Sequence, residues 1–279
     1  MPTTQTDLIL VTGGTGKTGR RIAERLASDG RAVRVGSRSG SPAFDWEDRA
    51  TWSAALDGVS AAYLCYYPDL AVPGAAETVA AFAQLAAQRG VERLVLLSGR
   101  GEPEAERAEQ LVREVGAETT VVRCAWFNQN FDESYFADGI AAGVLALPAG
   151  DVPAAFVDAD DVADVAVAAL TGDGHAGQLY DVTGPRPLTF AEAVAEIAQA
   201  IGRPARYVPI SLEEFATGMA SAGVPDDVIS LLRYLFTEVL VQSNATLGDG
   251  VQRALGRPPR DFRDYARRAA AGDAWVLKG

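Results

Sequence analysis

Leu8-Ile-Leu-Val-Thr-Gly-Gly-Thr-Gly-Lys-Thr-Gly19 opens a pattern that closes at Ala32-Val-Arg-Val-Gly-Ser-Arg38. Leu8 to Val11 is a short, continuous apolar run, as expected for a strand buried on both faces. Gly13, Gly14, Gly16 and Gly19 follow at once. From Lys17 a helical period begins, with Ile22, Ala23 and Leu26 on one side and charges on the other. Asp29-Gly30 ends it, and Ala32 to Val35 reads as a second strand. Strand, glycine turn, helix and strand in this order bring backbone N–H groups and a helix N-terminus against a pyrophosphate. The expected contacts run from Gly13, Gly14, Thr15 and Gly16 through Lys17, Thr18 and Gly19. Glycines alone mark only a tight turn; the strands on both sides supply the context that the dinucleotide fingerprint requires.

The end of the second strand selects the dinucleotide. An NAD site carries an acid about 20 residues after the glycines, bonded to the ribose hydroxyls. No carboxylate lies between Ala32 and Pro42, where the chain offers Ser37, Arg38 and Ser39. A guanidinium there pairs with a 2′-phosphate through charge-assisted hydrogen bonds, and Lys17 can approach the same group. The missing acid and the added base point to NADP(H).

With 279 residues the chain is long enough for one large domain or two lobes. Its net charge of −12, with no Lys/Arg-rich run, weighs against a nucleic-acid partner. No window is apolar for long enough to span a bilayer. Met1 to Thr6 is polar and the apolar run after it is short, unlike a secretory signal, so the expected location is cytoplasmic. Cys65 and Cys124 are expected as buried thiols, and a single histidine with two cysteines makes a His/Cys metal site a poor reading. No metal is expected. A monomer or homodimer is.

Strands are expected at Ala43–Trp46, Ala61–Tyr66, Arg93–Leu97 and Thr119–Arg123, separated by helices at Arg49–Leu56, from Pro73 on through Thr78–Ala87, and at Pro103–Val115. This alternation implies a doubly wound parallel sheet, whose ligands collect at the carboxyl ends of its strands. The loops there contain Tyr66 and Tyr67, then Ser98, then Trp126 to Asn130. After Cys124 the alternation fails. Asp158, Asp160 and Asp161 suit the N-terminus of a helix over Val162–Leu170 better than a metal. Tyr180 to Gly184 reads as a last strand of the sheet. Thr189 with Glu192, and Ser211 with Glu214, have capping-box spacing, and Gly202 follows the first of these helices. Helices are also expected over Pro225–Leu240 and Phe262–Ala271. The expected division is a dinucleotide-binding lobe over 1–155, rejoined by 173–185, and a smaller, mainly helical substrate lobe over 156–279.

Several stretches together resemble the NmrA-like branch of the atypical short-chain dehydrogenases/reductases. They are Val11-Thr-Gly-Gly-Thr-Gly-Lys-Thr-Gly19, Ser37-Arg38, Leu96-Leu-Ser-Gly99, Val121-Val-Arg-Cys-Ala-Trp-Phe-Asn-Gln-Asn-Phe131, Phe156-Val-Asp-Ala-Asp-Asp-Val-Ala-Asp164 and Tyr180-Asp-Val-Thr-Gly-Pro185. The resemblance covers essentially the whole chain. It implies a Rossmann lobe binding NADP(H), with Arg38 near the adenosine phosphate and a substrate cleft between lobes. The family includes reductases of quinones, triphenylmethane dyes and aromatic natural products, and also redox-sensing regulators that do no chemistry. Ordinary superfamily members carry Tyr-x-x-x-Lys on the helix after Arg93–Leu97. Here that helix reads Pro103-Glu-Ala-Glu-Arg-Ala-Glu-Gln110, with no Tyr, His or Lys.

The candidate catalytic residues are therefore Ser98, Tyr66 and Tyr67, with Tyr66 and Ser98 also against the cofactor. Trp126, Asn128, Asn130 and Tyr135 are the candidate contacts to a flat aromatic or quinone-like carbonyl substrate. Phe127 and Phe131 are expected as packing, and His175 as a loop residue away from the site. The function expected is NADPH-dependent reduction of a quinone-like or polycyclic aromatic carbonyl compound. A non-catalytic NADP(H) sensor, and a redox-neutral isomerase or cyclase, are the alternatives.

Overall fold

The computed structural model describes residues 7–240 and 245–276. The polar Met1–Thr6 stretch lies outside the described residues. In chain order the elements begin with β1 (Leu8–Thr12), α1 (Lys17–Ser28), β2 (Ala32–Gly36), α2 (Trp52–Ala55), β3 (Val59–Leu64), α3 (Ala75–Gln88), β4 (Arg93–Gly99), α4 (Pro103–Arg113) and β5 (Glu118–Cys124). There follow α5 (Phe136–Ala141), β6 (Val144–Leu147), α6 (Ala159–Thr171), β7 (Leu179–Val182), α7 (Phe190–Ile201) and β8 (Arg206–Pro209). The chain continues with α8 (Leu212–Ser221), α9 (Asp226–Tyr234), α10 (Gly250–Leu255) and α11 (Phe262–Ala271).

The chain divides into two compact units. The first takes Met1–Cys124, Ala159–Val182 and Asp249–Arg257; the second takes Ala125–Asp158, Thr183–Gly248 and Pro258–Gly279.

The first unit is built on a six-stranded sheet in the order β2-β1-β3-β4-β5-β7. Every pair in it is parallel. This is the doubly wound architecture expected from the alternation of elements. The strand order reverses between β1 and β3, which places the switch point beside the glycine turn. Leu10, Val11, Ala62, Leu94, Val95, Leu96, Val121 and Val122 have essentially no exposed surface, as a sheet covered on both faces requires.

Ala43–Trp46 is not a strand. Its polar groups are satisfied otherwise: the Phe44 N–H donates to the Ser37 carbonyl, and the Asp45 N–H donates to Thr51 Oγ1. Phe44 and Trp46 bury their rings with Trp52 and Phe82 in an edge-to-face cluster, at centroid separations of 5.0 to 6.3 Å. A short aromatic stretch such as Ala43-Phe-Asp-Trp46 looks the same whether it pairs in a sheet or plugs its edge. Tyr66 and Phe82, the partners that decide between them, lie far along the chain.

One side of the first unit is held by an ionic lattice. Arg25 on α1 donates to Asp160 and Asp164 on α6 at 2.7 and 2.8 Å, and Arg257 reaches Asp161 and Asp164 at 2.7 and 2.6 Å. The aspartates read as helix-terminal carboxylates are thus engaged by arginines. No cluster of His, Cys, Asp or Glu among the described residues is placed to hold a metal ion.

The second unit has its own core, centred on Phe131, Phe156, Phe190 and Phe262. Its only sheet among the described residues is the parallel pair β6–β8. Both capping boxes form: Thr189 with Glu192 on α7, and Ser211 with Glu214 on α8. Gly202 ends α7 in the left-handed conformation. Replacing Thr189 by alanine is expected to cost about 1 kcal/mol of stability, measured by denaturant unfolding, because one first-turn N–H loses its acceptor. The helix expected through Leu240 is α9, followed by a wider π-type turn over Leu235–Val239. Among the described residues no helix is long and apolar enough to cross a membrane.

Candidate active site

The glycine turn leaves β1 and enters α1 with the left-handed conformation at Gly13, φ +59°. A side chain on Gly14 would meet Val35 Cγ1 at 2.7 Å and the Val11 carbonyl at 2.9 Å. One on Gly19 would collide with the Gly13 carbonyl group and come within 2.8 Å of Gly14 Cα. These close approaches are what let α1 pack down on the sheet while its first turn stays open. Gly16 caps α1 with no side chain, and the first turn carries no acid. Its N–H groups and the positive end of the helix dipole thus have no carboxylate competing for them, which suits a bound pyrophosphate.

Thr15 is exposed and Lys17 half-exposed, whereas Thr18 is buried and accepts from Tyr63 Oη at 3.0 Å. Thr18 thus also ties α1 to the sheet. Thr12 closes the other side: its hydroxyl donates to the Tyr63 carbonyl and accepts from the Cys65 N–H. At the end of β2, the Ser37 carbonyl accepts from Gly40 and Phe44, which fixes the turn that carries Arg38. The Arg38 guanidinium lies 5.9 Å from the centre of the exposed Tyr67 ring. No acid stands in this turn, so a 2′-phosphate would meet a cation and hydroxyls there.

The carboxyl ends of β3 and β4 carry most of the remaining polar chemistry of this unit. Tyr66 leans on Trp46 at 5.2 Å, and Trp46 donates to the Cys65 carbonyl, holding the loop after β3. Burial raises the Tyr66 phenol above its ordinary value. Ser98 is buried, and its hydroxyl donates to Glu109 Oε1 at 2.6 Å. Arg123 grips the same carboxylate from β5 in a two-pronged contact of 2.9 and 2.6 Å. Ser98 is therefore the inner end of a Ser–Glu–Arg chain spanning β4, α4 and β5.

Two further carboxyl groups lie here, neither of them singled out by the sequence reading. Glu102, at the N-terminus of α4, is only 7% exposed. Its carboxyl hydrogen-bonds that of Asp69 from the loop after β3. Two carboxyl groups can do this only if one keeps its proton. Burial first, and then the Asp69 charge, push the Glu102 value up to about 9. Glu102 Oε2 is buried with no hydrogen-bond partner among the described residues. Arg100, between these residues, pairs with Asp181 on β7 at 3.2 Å. Both cysteines are free, and burial raises both thiols. His175 lies outside this cluster; its Nδ1 is 2.7 Å from Tyr180 Oη.

In the second unit, the segment after β5 is anchored by the Asn128 N–H donating to the Val157 carbonyl, and by the Val157 N–H donating to the Trp126 carbonyl. Trp126 packs on Phe236 and Phe190 with centroids 5.2 and 5.9 Å apart. Asn128 is fully buried, yet among the described residues neither polar atom of its side-chain amide has a hydrogen-bond partner. Gln129 donates to the buried Asp158, which Arg268 also engages. Asn130 is half-buried and its carbonyl accepts from Ser134; Tyr135 is exposed. Phe131 is wholly in the core.

A parallel sheet with an open glycine turn at its switch point defines a dinucleotide-binding Rossmann protein. No family model matches the chain. It is 37% identical to the (4-alkanoyl-5-oxo-2,5-dihydrofuran-3-yl)methyl phosphate reductase of Streptomyces griseus, over 94% of this chain and 98% of that one. It is 32% identical to the NAD(P)H azoreductase of Xenophilus azovorans, over 95% and 98%. Among solved structures, Citrobacter triphenylmethane reductase complexed with NADP(H) superposes with a TM-score of 0.72 at 20% identity, covering 94% of this chain and 99% of that one. The chain belongs to the NmrA-like family of atypical short-chain dehydrogenases/reductases, which are NAD(P)-binding Rossmann proteins.

Proposed function

We propose that this protein is an NADPH-dependent reductase whose acceptor is a quinone-like or polycyclic aromatic carbonyl compound. The observation that carries the reading is the pairing of an open glycine turn with Arg38 in place of an acid at the end of β2. Two relatives over nearly the full length bear the names of reductases. Gly13 to Gly19 would hold the pyrophosphate, and Ser37 and Arg38 the adenosine phosphate. Bound NADPH supplies hydride to an electrophilic carbon. The chain's own part is to hold, orient and protonate. Trp126 offers an aromatic face, and the buried Asn128 amide offers a donor and an acceptor that no other described residue uses. Asn130 and Tyr135 complete the proposed substrate contacts.

Purified protein with NADPH and a panel of quinones, aromatic ketones and azo compounds tests the reading by loss of nicotinamide absorbance. Absorbance that stays constant with every acceptor rejects it. A silent panel together with a large affinity difference between NADPH and NADP+ instead supports the sensor reading. That reading is favoured by one observation: Ser98 is committed to Glu109, and α4 carries no Tyr or Lys. For the cofactor, Arg38→Ala is expected to weaken NADPH about tenfold to a hundredfold, the worth of one or two charge-assisted hydrogen bonds, and to leave NADH within about twofold. Titration by nicotinamide fluorescence measures both, and equal losses reject the assignment.

A further inference from the structure

We propose that Glu102, sharing one proton with Asp69 at the carboxyl ends of β3 and β4, is the acid that protonates the acceptor. The proposal rests on the reductase reading above and supplies what that reading lacks, since α4 carries no Tyr-x-x-x-Lys pair.

Four observations carry it. Glu102 is more than nine-tenths buried, yet its Oε2 has no hydrogen-bond partner among the described residues. Its carboxyl meets that of Asp69, an arrangement that needs a shared proton. Of the charged groups around the pair, Glu109 on α4 adds negative charge at Glu102 although Arg123 holds it from β5, Arg100 pairs with Asp181, and the thiols of Cys65 and Cys124 stay protonated. Burial first, then the Asp69 charge, and last the Glu109 charge push Glu102 up to about 9, so it is an acid at neutral pH. Finally, the chain makes room for it. A side chain on Gly99 would overlap the Glu102 carboxyl, although Gly99 does not have a positive φ. Glycine is needed at that position for space. A buried, protonated carboxyl at the carboxyl ends of central strands stands where ligands of such sheets gather.

The chemistry balances. With a neutral carbonyl acceptor, hydride from the reduced nicotinamide dinucleotide forms the new C–H bond and the C=O π bond breaks. The oxygen takes the Glu102 proton, the nicotinamide is left oxidised, and Glu102 is left as a carboxylate. Water reprotonates it between turnovers. A cationic acceptor, such as a triarylmethane cation, accepts hydride alone and needs no proton.

The test compares the two kinds of acceptor. Glu102→Gln is expected to lose about a hundredfold in kcat/KM on neutral carbonyl acceptors, a modest general-acid contribution, and far less on a triarylmethane cation. The wild-type rate on neutral acceptors should fall as pH rises through about 9. Asp69→Asn removes a charge that raises Glu102, so it should move that alkaline limb to lower pH; this variant serves if Glu102→Gln does not fold. Gly99→Ala, which evicts the carboxyl, should resemble Glu102→Gln. Infrared spectroscopy reads the proton without turnover: at neutral pH the wild type should show a protonated-carboxyl C=O stretch that Glu102→Gln lacks. A missing band, or equal losses on both acceptor types, overturns the proposal. So does an unchanged rate on neutral acceptors, and in that case the reductase reading survives. If the wild type reduces neither kind of acceptor, the reductase reading fails and the proton-donor role falls with it.

Discussion

Gly19→Ala should abolish measurable NADPH binding and lower stability by about 3 kcal/mol or more, at or beyond the upper end of overpacking costs. The obstacle is backbone. An added Cβ would collide with the Gly13 carbonyl group and come within 2.8 Å of Gly14 Cα. Neither atom can swing aside as a side chain would. The helix must lift from the turn, and lifting it moves Gly13 and Gly14, part of the turn proposed to hold the pyrophosphate. A displacement of this kind is expected to cost about a hundredfold or more in affinity, or about 2.7 kcal/mol. Isothermal titration with NADPH and denaturant unfolding measure the two effects. Gly58→Ala is the control: that glycine has a positive φ, 72°, which Gly19 does not, and open space around it, so it should lose a little stability and no affinity. Wild-type binding by Gly19→Ala would show that the turn is not the pyrophosphate site.

Arg123→Met should destabilise the protein by about 3 to 5 kcal/mol, the range for removing one partner of a buried ion pair. Glu109 is 4% exposed, and both its oxygens accept from Arg123, at 2.9 and 2.6 Å. Methionine fills most of the volume but leaves the carboxylate with the Ser98 hydroxyl as its main donor. The double variant Arg123→Met/Glu109→Gln should recover a large part of the loss, because the stranded charge is gone. The double-mutant cycle isolates that coupling. A single-variant loss below about 1 kcal/mol would mean that the pair is effectively solvated, as surface pairs are. Ser98 gives the experiment a second use. If the Ser–Glu–Arg chain only braces the strands, Arg123→Met should leave the KM for acceptors unchanged in the folded fraction.

The local rules of the chain were readable in advance, and the tertiary meetings were not. The glycine turn, both capping boxes and the alternation of strand and helix are properties of a few neighbouring residues, so spacing reveals them. Ala43–Trp46 misled because its aromatic pattern is local while its partners Tyr66 and Phe82 are not. Ser98 was legible as a strand-end serine, but its partner Glu109 read as one more charge on a charged helix. Glu102 stood just before Pro103, where an acid is an ordinary helix-start residue. Only the meeting with Asp69, from the loop after another strand, marks it as different. Gly99 was the available signal: a glycine with no positive φ, beside a serine at a strand end, leaves space for something. α10 left no trace in the reading. It packs near β7, where a side chain on Gly250 would meet the Asp181 carbonyl at 2.6 Å.

The first unit draws on three separated stretches of chain, ending at Arg257. No contiguous fragment ending at Cys124 contains all of it, because β7, α6 and α10 come later. During synthesis the sheet therefore waits for α6 and its last edge strand until the chain has been made as far as Val182, and for α10 until Arg257. A truncation before Leu179 leaves β5 as an open strand edge, ready to pair with another chain. For this protein, a premature stop well beyond the glycine turn and the carboxyl pair should yield aggregate rather than a working cofactor module.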